Sequence, residues 1–272
     1  PNPGGWEANL GVSELKGKRV AVLPSIAGVR LEPGVEAQIR ARASELIAAA
    51  GMVEVDISLV LPNLAAQWAM GNLSTLLPEL GRMWPSRADD LTDEIALGVR
   101  LSESLYNLHI AAVAEAQRIE AYEAMAAAFD QVDYIISATN PGPAFPAESS
   151  MSSTENNLIE KAKSSTAAKG ALRTALFGTK LASKFAPKLP SNLLGRVSEK
   201  FPEMVNMGAL TIIANIYGNP AVSIPAGTVG GLPVGMQVLA RHHEDPLLFD
   251  VALAVERERP WPMVAPAVTD AA

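Results

Sequence analysis

A change of hydrophobic period near the start of the chain limits its fold more than any other feature. Arg19 to Leu23 (RVAVL) is a short apolar run behind the polar, turn-prone stretch Glu14 to Lys18, and reads as a buried strand. A helix is expected from about Pro33, which suits a first helical position. Its apolar residues Val35, Ile39, Leu46 and Ile47 keep helical spacing until Gly51, a natural stop. Val53, Val55, Ile57 and Leu59 then alternate with Glu54, Asp56 and Ser58, the pattern of a half-exposed strand. Strand, helix and strand of these lengths form a βαβ-like unit, so an α/β layer architecture is expected.

The rest of the chain adds to that unit. Leu64 to Leu80 is apolar but interrupted by Gly71 and Pro78, which predicts broken helices, and a long helix is expected from about Glu94 to Asp130. Asp133 introduces a strand, Tyr134 to Ala138, and the three prolines of Thr139 to Pro146 make the next stretch a turning loop. After Asn206 the pattern predicts a helix over Leu210 to Ile216 and strands at Ala221 to Ile224 and Pro233 to Ala240. The Gly-rich stretch Pro225 to Leu232 joins those strands into a hairpin. Asp245 is read as the cap of a last helix, with Pro246 at its first position and Leu247, Leu248, Val251, Ala252 and Val255 on one face. The expected fold is therefore a mixed β-sheet core flanked by helices.

One segment departs from this plan. Ser149 to Lys200 holds seven of the nine lysines, with many Ser and Ala residues, and reads as a helical insertion or lid. Within it, Leu172, Leu176, Leu181 and Phe185 lie among Arg173, Lys180 and Lys184, an amphipathic basic pattern. A packed surface hairpin or lid is the first reading of it, and weak contact with a membrane surface the second.

Charge and composition exclude several functions. A net charge of −7 and a pI near 5.1 leave no basic surface for phosphates, so no nucleic-acid partner is expected. The chain has no cysteine, which removes disulfides, thiolate catalysis and cysteine-ligated metals. His109, His242 and His243 do not form H-E-x-x-H or sit with an acidic partner at ligand spacing. The run Gly227 to Gly235 neither matches G-x-G-x-x-G nor leads into a helix, which argues against a dinucleotide. No metal or other cofactor is expected. No stretch of 18 apolar residues occurs, and Pro1 to Leu10 does not read as a signal, so the reading is a soluble, cytoplasmic chain.

A resemblance emerges from ordered motifs near the C-terminus. Asn215, Gly218, Pro220 and Ala221 form N-x-x-G-x-P-A, and Ser223, Pro225, Ala226 and Gly227 form S-x-P-A-G. Gly231, Leu232, Pro233, Val234, Gly235 and Gln237 form G-L-P-V-G-x-Q, followed by Asp245, Leu247, Leu248 and Ala252 in D-x-L-L-x-x-x-A. This stretch, Asn206 to Arg259, resembles the C-terminal hallmark of the amidase-signature family. Lys16 to Leu61 and Leu105 to Ala138 are similar to upstream parts of the same family. One position departs: the family usually has a proline before the threonine that follows the third strand, and here Ala138 precedes Thr139.

The resemblance implies a single amidase domain of which residues 1–272 are the C-terminal part, with 149–200 inserted in it. It implies hydrolysis of a carboxylic amide to acid plus ammonia or amine, through a serine nucleophile, a bridging serine in a cis peptide and a lysine base. A Gly-Ser-rich nucleophile loop is not found: Ser149 to Ser153 lacks glycine, and Gly227 to Gly231 lacks serine. There is no G-x-S-x-G, and Thr166 to Lys169 only imitates S-x-x-K. The catalytic residues are expected before Pro1, and none is assigned in this chain. What the chain is expected to contribute is pocket wall, with Thr139, Asn140, Pro143, Phe145, Met207 and Thr211 as candidate lining residues for a small amide. The alternatives are a non-catalytic binding or regulatory relative and an amidotransferase subunit of the transamidase type. If neighbouring strands lie elsewhere, the chain is expected to expose sheet edges and to form homo-oligomers or other associations.

Overall fold

The computed structural model describes residues 5, 7–62, 64, 71, 75–92, 95–96, 99, 108–144 and 208–261. The expected insertion at 149–200, with its proposed membrane-surface contact, lies outside the described residues, as do Phe145 and Met207. Among the described residues no helix is long and apolar enough to cross a membrane.

Strand β1 (Arg19–Val22) is the apolar run, with Val20 and Ala21 fully buried. Helix α1 (Val35–Ala50) follows and buries Val35, Ile39, Ala43 and Leu46 at helical spacing. It begins later than Pro33 suggested. Gly34 lies between them in the left-handed region at φ 89°, and Pro33 belongs to the turn closed by the Val35 N–H on the Glu32 carbonyl at 3.2 Å. At the other end Gly51 takes φ 65°, as a C-terminal glycine should, and the Met52 N–H returns to the Ile47 carbonyl at 3.0 Å.

Strand β2 (Val53–Glu54) is shorter than the alternation through Leu59 implied, because β1 offers only Arg19 and Val20 as partners. The alternation still governs burial: Val55, Ile57 and Leu59 pack against the core outside the ladder. Helix α2 (Leu108–Gln131) buries Ala121, Met125, Ala128 and Phe129, and leads into strand β3 (Tyr134–Ala138), every residue of which is buried. Asp133 joins these elements. It accepts the Arg19 N–H at 2.8 Å and an Arg241 guanidinium N–H at 2.9 Å.

Helix α3 (Ile212–Tyr217) is preceded by a turn at 208–211, so the helix expected from Leu210 starts two residues later. Strands β4 (Ala221–Val229) and β5 (Leu232–Ala240) form the expected antiparallel hairpin. Pairing continues through most of the stretch read as a loop, and only Gly230 and Gly231 make the turn. The pairing survives Pro225 because β4 is an edge strand and because a bulge intervenes between Pro225 and Gly227. There the Ala226 carbonyl turns to α1 and accepts Gln38 Nε2 at 2.5 Å and Arg42 Nε at 3.1 Å.

Helix α4 (Asp245–Glu258) closes the described chain. Asp245 is its first residue instead of its cap; Glu244 takes the cap position without a side-chain bond, and Pro246 fits the first turn. Buried Asp250 accepts the N–H groups of Gly11 and Ser13 at 2.5 and 2.8 Å, fastening the early segment to this helix.

The sheet order is β2-β1-β3-β5-β4, parallel across β2, β1 and β3 and antiparallel on either side of β5. Helices α1 and α4 pack on each other and on β4 and β5, over a core that includes Ile39, Ile136, Ile224, Met236 and Val251. Helices α2 and α3 pack together through Tyr122, Phe129 and Tyr217. This is the expected α/β class: a mixed sheet flanked by helices.

Candidate functional site

Connectivity gives the described sheet a switch point between β1 and β3. The chain leaves β1 through α1 toward β2 on one side of the sheet, whereas β3 is flanked by β5 on the other. The carboxyl ends of β1 and β3 lie side by side at this point, the place where open α/β sheets hold ligands. The two loops are joined by backbone hydrogen bonds. Leu23 donates its N–H to the Ile136 carbonyl at 2.8 Å, Ala138 to Pro24 at 3.0 Å, and Glu32 to Pro141 at 2.8 Å. Ala138 thus has a specific use in place of the family's usual proline, since a proline has no N–H to give Pro24.

A polar row crosses the sheet beside these loops. Ser137 pairs with Gln237, and Gln237 with Ser223, so the three side chains share one face; Thr139 and Gly235 stand two residues along the same face. The hydroxyls of Thr139 and Ser223 meet at 2.7 Å, and Thr139 donates its N–H to the Gly235 carbonyl at 2.9 Å. Gly235 makes this meeting possible. A Cβ there would lie 2.8 Å from Thr139 Oγ1 and 2.9 Å from Ser223 Oγ, inside van der Waals contact with both. The glycine of G-L-P-V-G-x-Q is a device of space, at an ordinary backbone angle.

At the buried end of the row the carboxamide N–H groups are bonded. Gln237, 3% exposed, donates from Nε2 to Ser137 Oγ and to the Leu210 carbonyl, each at 3.1 Å. The carboxamide carries the turn before α3 onto the sheet and brings Thr211, the next residue, toward the row. Thr211 itself donates Oγ1 to the Gly208 carbonyl at 3.0 Å, which fastens its own turn. Of the six residues read from the sequence as pocket lining, Thr139, Asn140 and Pro143 stand on the loop after β3, and Thr211 follows Leu210, whose carbonyl accepts from Gln237.

Sequence reasoning missed Ser223, Gly235 and Gln237 as parts of this site, although all three stood in the quoted motifs. Their strand register was the missing information. It also missed Glu32, whose carboxylate lies against Gly142; a Cβ on Gly142 would come within 2.2 Å of Glu32 Oε1. No motif pointed to that residue. The histidines are placed elsewhere: His242 Nε2 lies 2.8 Å from the Tyr217 carbonyl, and its ring sits 4.2 Å from that of Tyr217.

Chemically, the exposed end of the row offers hydroxyl donors and acceptors, and the buried end is tied to the turn before α3. Such a wall can hold the carbonyl and N–H of a small amide in one orientation.

Comparison with known proteins gives the arrangement relatives. No protein-family profile matches the chain. In sequence it is 36% identical over 84 residues to a glutamyl-tRNA(Gln) amidotransferase subunit of Clostridium kluyveri, a match covering 30% of this chain and 17% of that one. In structure it resembles a bacterial aryl acylamidase of the amidase-signature enzymes, with TM-score 0.64 and 14% identity, over 94% of this chain and 46% of the other. It also resembles 6-aminohexanoate cyclic dimer hydrolase, with TM-score 0.65 and 18% identity, over 96% and 49% respectively. The chain therefore spans about half the length of these solved structures, and its sequence match covers a smaller part of the curated relative.

Proposed function

We propose that this chain is a member of the amidase-signature family and forms the substrate-pocket part of an amidase, a reading supported by its fold and by its local sequence likeness to an amidotransferase subunit. The reaction is hydrolysis of a carboxylic amide to acid plus ammonia or amine. The serine nucleophile, bridging serine and lysine base that the family resemblance implies are supplied by a segment outside these 272 residues. The observation that carries the reading is the polar row of Thr139, Ser223 and Gln237 beside the β1 and β3 loops.

In this reading the Thr139–Ser223 pair orients the substrate amide and the Gln237 carboxamide keeps the wall in register. A serine attacking the amide carbonyl builds negative charge on oxygen, and pre-aimed N–H groups lower that barrier. The base must shed its charge to accept the serine proton, and burial depresses a lysine pKa far enough for this, by up to ~3–5 units. The wall's contribution is to fix the amide where those groups can reach it.

A second reading has its own support. The Clostridium kluyveri relative belongs to an amidotransferase, so release of ammonia to a partner, instead of to water, is the alternative chemistry. The small-molecule amide substrate is common to both.

The test is ammonia or amine release from a panel of aliphatic and aromatic amides, with glutamine included, by this chain alone and by the product of the upstream-extended gene. Activity only in the extended protein supports the reading. Activity of the 272-residue chain by itself places the nucleophile within it and overturns the division of labour. Hydrolysis confined to glutamine favours the amidotransferase reading, and silence of both proteins favours a non-catalytic relative.

A further inference from the structure

We draw no further inference here: the strongest candidate, the solvent-facing side of edge strand β4 at Ala221, Ser223 and Pro225, is a bare sheet face among the described residues, and nothing in the structure shows what covers it.

Discussion

Tyr134 shows how one residue combines sequence logic with tertiary cost. Its ring belongs in the core as the first residue of β3, and it is fully buried, yet its hydroxyl finds no hydrogen-bond partner among the described residues. Burial pushes the phenol well above its usual range, and the nearby carboxylates of Glu244, Asp133 and Asp250 push it further. The folded protein therefore keeps the proton at a pH where the unfolded chain has begun to lose it, near ~10. Stability contributed by the neutral phenol is complete below that pH and declines as pH rises above it. Tyr217 shifts in the same direction through burial, then through Tyr122 and Asp130. Tyr134→Phe removes an unpaired hydroxyl at almost constant shape, so it should raise stability by about 1 kcal/mol at neutral pH. It should also flatten the loss of stability at alkaline pH. Urea unfolding at neutral and alkaline pH measures both; a large loss of stability at neutral pH would mean that the hydroxyl is bonded in solution. Tyr134 was legible as a strand residue from the apolar run around it, whereas its unpaired hydroxyl depends on tertiary packing.

At the scale of elements, Arg241 joins the end of β5 to the end of α2. It donates to the Phe129 carbonyl from Nε and from Nη2 at 3.0 and 2.7 Å, to the Val132 carbonyl at 3.0 Å, and to Asp133 at 2.9 Å. Those carbonyls lie at the end of the helix, with no further turn to bond them, and a cation there also matches the helix dipole. Arg241→Ala leaves carbonyls unpaired and takes from Asp133, 13% exposed, the nearer of its two guanidinium partners, with Arg19 remaining at 3.8 Å. A loss of about 3 kcal/mol is expected, read as a lower denaturant midpoint at constant slope. Arg241→Lys should recover only part of it, because an ammonium cannot reproduce the planar fork. Element types were readable from period and punctuation: the α1 face, the C-terminal glycine at 51 and the β4–β5 hairpin all appear. Element ends were less readable. β2 stopped early for want of partners on β1, and β4 ran past Pro225 because a bulge and an edge position relieved the proline. Both outcomes are set by neighbours that local sequence does not specify.

At the scale of the molecule, β2 and β4 stand at the sheet edges, and Ser223, Pro225 and Gly227 expose one side of the longer edge strand. Strand edges that pair with no further strand among the described residues, and exposed apolar residues such as Leu232 at 45% exposure, favour association. The 272-residue chain by itself should elute above its monomer mass of 28.6 kDa at micromolar concentration, and a charge placed on the edge, as in Ser223→Lys, should reduce the larger species. A monomer by light scattering at all concentrations would sink this expectation. The sequence by itself determined the α/β class, the order of strands and helices, and the motifs that carry the amidase-signature resemblance, because periodicity, glycine and proline act over a few residues. Only the tertiary structure decided that Thr139, Ser223, Gly235 and Gln237 form one polar row, and that Glu32 rests on Gly142. Those contacts join residues far apart in the chain, and strand register and loop convergence, which no local pattern encodes, bring them together.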